Sequence, residues 1–171
     1  MTARPILLVS AAVLAALGVA GSGTSATMLP CKPTQVAGTF KVVAGSAGAG
    51  SISYLLRVTN RSARTCSVAG RAGLRLLGRR GRPLPTKVTR DIRETGLVRV
   101  VLAPGKAAKA DAHFSPDVPG QGEPTAGLQC EPTAYRVRVT LPQGGTLLVR
   151  LSPPTPVCVH GAILLRSFRA A

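Results

Sequence analysis

A chain of 171 residues with 45% hydrophobic content suits one domain with its own core. That core must be aliphatic, because the chain has no Trp, three Phe and two Tyr. Nineteen Gly and fourteen Pro suit short strands and turns better than long helices, and a net charge of +16 with only six acidic residues disfavours carboxylate chemistry while attracting anions.

Read in chain order, the first 26 residues form an expected secretion leader. Arg4 supplies the positive start, the apolar stretch runs from Ile6 to Ala20, and small residues precede a cut placed after Ala26. That stretch is shorter than the roughly 20 residues a membrane span needs. Residues 27–171 are then a single β domain. Cys31 follows Pro30 some way beyond the apolar stretch, which argues against lipid attachment at that cysteine.

A first strand is expected from Val36 to Val43, followed by a glycine turn in "GSAGAG". Then "SISYLLRVTN" alternates Ile52, Tyr54, Leu56 and Val58 against Ser53, Arg57 and Thr59, as a half-buried strand does. "GLRLLG" gives a third strand, and the prolines of "GRPLPTKV" suit an edge or loop. "LVRVVLAPGKAAKADAHF" reads as a hairpin about Pro104-Gly105, with Ala108, Ala110, Ala112 and Phe114 inward and Lys109, Asp111 and His113 outward. After a Pro/Gly loop, "AYRVRVTL" places Tyr135, Val137, Val139 and Leu141 inward and Arg136 and Arg138 outward. "TLLVRL" returns from a glycine pair, and "GAILLRSF" is the last strand. The pattern predicts an all-β, two-sheet antiparallel sandwich of about eight strands.

Four cysteines in an exported chain predict two disulfides. Residues paired across a hairpin lie equally far from its turn. The midpoint of Cys31 and Cys66 falls in "GSAGAG", and that of Cys130 and Cys158 falls in "PQGG", so these are the expected pairs. A bridged sulfur is neither nucleophile nor metal ligand. A metal alternative, Cys158 with His160 on one side of an extended strand, lacks a third ligand nearby in sequence, and no metal or other cofactor is expected.

Between Arg57 and Arg99 lie eleven Arg and Lys87 against Asp91 and Glu94. Arg75, Arg79, Arg80 and Arg82 are the expected anion-binding residues, though a basic composition alone would also produce such a run. The segment has no aromatic to stack on bases, and export separates the chain from cellular nucleic acid, so nucleic acid is not the expected partner. An anionic envelope polymer, a lipid surface or an acidic protein is. Asp111 and His113, two apart on one strand, are the best catalytic pair available, but no nucleophile elbow accompanies them, and the acids sit mostly on loops. Asn60 in "NRS" fits a glycosylation acceptor and is read as a turn.

Taken together, "LRVTNRSARTCSVAGRAGLRLL", "VVLAPGKAAKADAHF", "YRVRVTLP" and "VCVHG" resemble a family of secreted actinobacterial domains of unknown function over about residues 31 to 168. The resemblance implies an immunoglobulin-like sandwich, secreted or associated with the cell envelope, and no particular activity. The expected function is therefore that of a non-enzymatic exported module with a basic face. The alternatives are an extracellular hydrolase built on loop carboxylates or Asp111 and His113, and a purely structural domain with compositional charge.

Overall fold

The computed structural model describes residues 28–94, 96, 98–125 and 129–171; the expected leader lies outside the described residues. Among the described residues no helix is long and apolar enough to cross a membrane. The chain is almost wholly β. Its strands are β1 (Val36–Val42), β2 (Ile52–Asn60), β3 (Cys66–Ala69), β4 (Gly73–Leu77), β5 (Lys87–Thr89) and β6 (Arg99–Leu102). They continue with β7 (Ala107–Phe114), β8 (Ala134–Thr140), β9 (Thr146–Thr155), β10 (Ala162–Leu165) and β11 (Arg169–Ala170).

The expected two-sheet antiparallel arrangement of about eight strands needs correction. Nine strands join in one mixed sheet, hydrogen-bonded in the order β4-β8-β9-β1-β2-β7-β10-β5 with β11 also on β7, and β3 and β6 form a separate ribbon. Two contacts are parallel, β1 with β9 and β5 with β10. Long connections separate both pairs, as parallel pairing requires. The core is one cluster that gathers Leu76 of β4, Val137 of β8 and Leu151 of β9 together with Leu56 of β2, Ala110 of β7 and Leu165 of β10. A flat sheet could not bring its two ends onto shared side chains, so this one curls until it is nearly a barrel, and Val68 and Leu102 of the ribbon add to the same interior.

Alternation explains most of the strand faces. Tyr54, Leu56 and Val58 are fully buried on β2, as are Ala108, Ala110 and Ala112 on β7, leaving Lys109, Asp111 and His113 outward. β2 and β7 pair over eight positions, and the register sets each small alanine opposite a larger residue, Ala112 by Tyr54, Ala110 by Leu56 and Ala108 by Val58, which leaves room for the larger side chains in the interior. Tyr54 packs between Phe40 and Phe114, with ring centroids at 5.4 and 5.2 Å, and its hydroxyl donates to the Pro153 carbonyl at 2.8 Å. Burial pushes that phenol up to about 12.

The hairpin expected at Pro104-Gly105 does not form. The turn is present, but β6 pairs with β3 while β7 pairs with β2, so the chain changes sheets there. Asn60 holds that crossing. Fully buried, it donates through Nδ2 to the carbonyls of Arg64 at 2.7 Å and Leu102 at 2.8 Å, and its Oδ1 accepts the Ser62 N–H at 2.9 Å. Its backbone carbonyl accepts the Gly105 N–H and its N–H donates to the Lys106 carbonyl, both at 2.9 Å. Asn60 thus makes the turn expected of it, and its amide is inaccessible to glycosylation.

Both disulfides pair as the midpoints predicted, Cys31 with Cys66 and Cys130 with Cys158. The β1–β2 register sets Val36 opposite Asn60 and Val42 opposite Tyr54, centred on residue 48 inside the expected glycine turn. Neither bridge joins paired strand positions. Cys31 precedes β1 and Cys66 opens β3, while Cys130 and Cys158 lie beyond the ends of β8 and β9.

Both ends of the sheet are protected. The outer edge of β4 is occupied by the following loop, with the Leu76 N–H donating to Thr86 Oγ1 at 3.0 Å and the Leu84 N–H donating to the Leu76 carbonyl at 3.0 Å. At the other end β5 has only three residues and follows Pro83 and Pro85, in keeping with its expected edge or loop character.

A basic outer face with an arginine-tyrosine corner

On β4, β8 and β9 the inward positions are Leu74, Leu76, Val137, Val139, Val149 and Leu151, so strand alternation puts Arg75, Arg136, Arg138 and Arg150 outward. The register then sets like against like. Arg75 lies directly opposite Arg138, and Arg136 directly opposite Arg150. Further round the same outer surface Arg57 lies opposite Lys109. Like charges in directly opposed positions destabilise a sheet.

Among the described residues, five of the six acids are engaged elsewhere, and the sixth, Asp117, stands exposed in the loop after β7. Asp91 meets Arg166 at 3.1 Å, Glu94 meets Arg71 at 3.5 Å, and Asp111 meets Arg169 at 2.5 Å. Glu123 and Glu131 face His160. No ion pair reaches Arg75, Arg136, Arg138 or Arg150, so the field of this face is unneutralised among the described residues.

A β-bulge shapes one corner of the face. The β8–β9 register shifts between Ala134 and Arg136, which buries Ala134 completely and leaves Tyr135 half-buried at the surface. The expectation that Tyr135 fills the core is thus corrected, for a bulge turns a side chain away from the face that simple alternation assigns it. Arg79 lies over the Tyr135 ring, 4.6 Å from its centroid, and donates to its hydroxyl at 2.8 Å. The ring holds the guanidinium in place without neutralising it. A pocket of about 300 Å³ opens there, lined by Arg79, Tyr135, Arg136, Arg150 and Ser152. On the other side of Arg79 a second pocket, of about 370 Å³, is lined by Arg80, Arg82, Pro132 and Thr133.

The four anion-binding residues expected from sequence thus divide. Arg79, Arg80 and Arg82 gather on the turn after β4, closed by the Gly78 N–H donating to the Arg82 carbonyl at 2.9 Å, while Arg75 projects from the adjacent strand. Sequence reasoning put Arg136 and Arg138 outward but did not join them to this cluster, and it missed Arg150 and Tyr135. Only the strand register brings these together, and the local signal for Tyr135 is a bulge that composition does not announce.

The catalytic alternative fares differently. Asp111 and His113 share the outer face of β7, but the Asp111 carboxylate is taken by Arg169, and His113 Nδ1 lies 3.1 Å from Ser53 Oγ. Among the described residues no hydrogen bond joins Asp111 to His113, so the two do not form a base and its orienting acid. The metal alternative is corrected too. Cys158 is bridged, and residues Cys158–Gly161 form a left-handed turn instead of an extended strand, with φ of 57° at Val159, 54° at His160 and 73° at Gly161.

That turn makes the one buried acid of the described chain. Glu123, its side chain 2% exposed, accepts the N–H of Gly120 at 2.5 Å and of Val159 at 2.8 Å on one oxygen and the N–H of His160 on the other. Burial alone would push its carboxyl up, but the amides of Gly120, His160 and Val159 together hold it below the usual carboxylate range. Glu131 beside it moves the other way, raised by burial and by the charge of Glu123. Sequence reasoning noted both only as loop acids.

The fold and its surface define a class: an all-β domain, closed by two disulfides, with an unneutralised basic face. Residues 31–163 match the family described as Domain of unknown function (DUF4232), and the chain belongs to it. A search of curated proteins found no match.

Proposed function

We propose that this chain is an exported, non-enzymatic binding module that uses the outer face of β4, β8 and β9 to hold an anionic polymer of the cell envelope. Its leader directs it across the membrane, its two disulfides suit an oxidising exterior, and its curled sheet works as a rigid scaffold in the manner of an immunoglobulin-like sandwich. The observation that carries this reading is the opposition of Arg75 to Arg138 and of Arg136 to Arg150 with no acid between them. Such pairs weaken the free domain and become favourable only when negative charge lies across them. The Arg79–Tyr135 corner adds a fixed guanidinium whose planar fork suits phosphate or carboxylate groups.

The test compares the disulfide-intact chain with a variant in which Arg79, Arg136 and Arg150 are Gln, and with a control in which the exposed loop residues Arg64, Arg90 and Arg93 are Gln. Binding to immobilised polyphosphate is measured against salt. The wild-type chain and the control should bind alike, with affinity falling steeply as salt rises, and the face variant should bind more weakly with a shallower salt slope. Equal losses in both triple variants would leave a nonspecific charge effect, and salt-independent binding would remove the electrostatic reading altogether.

A further inference from the structure

The cluster at Glu123 carries chemistry that the basic face does not use. Three atoms converge there. His160 Nδ1 lies 3.5 Å from Glu123 Oε1 and 3.7 Å from Glu131 Oε1, and single ligand atoms of the three residues lie within 4.8 Å of one another. The ring's other nitrogen, Nε2, lies 3.0 Å from the Gln121 carbonyl oxygen, which can only accept, so Nε2 carries the proton. In the neutral ring Nδ1 then presents a bare lone pair to two carboxylate oxygens. Three electron-rich atoms face one another only with a proton or a cation among them, and Glu131, whose raised carboxyl is also hydrogen-bonded to Glu123, is the group that would carry such a proton.

The ring's distances argue against a proton shared between the imidazole and either carboxylate. A charge-assisted hydrogen bond from an imidazolium to a carboxylate would close to about 2.7–2.9 Å. The observed separations are longer than that by more than half an ångström. A tetrahedral zinc ion with bonds of about 2.0–2.1 Å holds its ligand atoms about 3.3–3.4 Å apart; the two edges from the imidazole are 3.5 and 3.7 Å, and the carboxylate–carboxylate edge lies within 4.8 Å, so small side-chain shifts would close the three on an ion. One imidazole and two carboxylates supply three ligands and leave the fourth position to water. A nitrogen ligand favours a transition ion over calcium or magnesium.

We propose that Glu123 Oε1, Glu131 Oε1 and His160 Nδ1 bind one divalent cation of the zinc class. The fold prepares the site. Glu131 follows Cys130 directly and His160 comes two residues after Cys158, so the Cys130–Cys158 bridge brings the two ligand-bearing segments together. The three amide donors fix the Glu123 carboxylate, and the left-handed turn that aims two of them is packed too tightly to relax. A Cβ on Gly120 would come within 3.0 Å of Val159 Cα, and one on Gly161 within 2.0 Å of the Pro85 carbonyl oxygen. His160, its side chain 60% exposed, leaves the way in from solvent open.

The test uses the untagged, disulfide-intact chain, with Zn²⁺ binding followed by calorimetry and Co²⁺ substitution followed by visible absorption. One Zn²⁺ per chain is expected, with Co²⁺ giving the intense bands of a tetrahedral site and excess Mg²⁺ failing to compete. E131Q, at a part-buried position but isosteric, and H160A, at an exposed one, should each weaken binding at least about tenfold while near-ultraviolet circular dichroism stays unchanged; H113A, at the other histidine, should bind as the wild type does. The C130S/C158S pair should weaken binding as well, because it frees the two segments. Absence of Zn²⁺ binding to the intact chain, or binding that survives both E131Q and H160A, would overturn the proposal.

Discussion

Charge reversal at Arg138 makes the strongest test of how the outer face is built. Arg138 stands directly opposite Arg75, and both are exposed. Opposed like charges cost about 0.2–1 kcal/mol, and an opposed pair of opposite sign gains a similar amount. Arg138→Gln should therefore stabilise the domain by a few tenths of a kcal/mol, up to about 1. Arg138→Glu, which turns repulsion into attraction, should stabilise it by about twice that. Urea unfolding of the oxidised chain measures this, since urea is uncharged and leaves the electrostatics unscreened. The gain should be largest near 10 mM salt, where the Debye length is roughly 30 Å, and should nearly vanish near 1 M, where it is roughly 3 Å. Polyphosphate binding should weaken in the same variants, so stability and binding move in opposite directions. If Arg138→Glu loses stability at low salt, or changes it equally at both salts, then packing of the arginine stem governs this position and the opposition of charges has no energetic consequence.

Other perturbations probe the scaffold. Asn60→Ala leaves the buried Leu102 carbonyl without its donor and should cost about 1–3 kcal/mol in urea unfolding, an effect no surface Asn would show. Replacing Cys130 and Cys158 together by Ser, which opens a loop closed over a separation of 28 residues, should cost about 3–4 kcal/mol on the chain-entropy estimate. Because the Tyr54 phenol is raised from 10.0 to about 12, the folded state keeps its proton longer than the unfolded chain does. Its contribution is full below pH 10 and is lost as pH rises toward 12, so Tyr54→Phe should flatten the alkaline fall in stability relative to the wild type. Gly161→Ala combines a φ of 73° with a clash against the Pro85 carbonyl and should prevent the domain from reaching its native melting temperature, by more than the same change at Gly81, where φ is 80° but nothing lies nearby.

Much of the scaffold was legible because local rules govern it. Alternation gave the buried faces of β2 and β7, and the symmetry of a chain folding back on itself gave both disulfides. Pairing between distant strands was not legible. Nothing around Pro104-Gly105 distinguishes a turn that returns to its neighbour from one that changes sheets, because the deciding contacts come from Asn60, forty-odd positions earlier in the chain. The candidate face failed for the same reason: Arg75 and Arg138 become neighbours only through the β4–β8 register. A bulge hid Tyr135, and a left-handed turn hid Glu123, since each breaks the local period on which sequence reading depends.

The way the loop after β4 occupies that strand's outer hydrogen-bonding groups bears on how these molecules behave when crowded on a surface. With the Leu76 N–H and carbonyl already satisfied from Thr86 and Leu84, a second copy finds no free ladder there on which to extend. Mutual repulsion between the cationic exteriors then keeps neighbouring copies apart; if the face takes a polyanion as proposed, a dense layer would form by recruitment along that polymer and would disperse in brine instead of growing into fibrils.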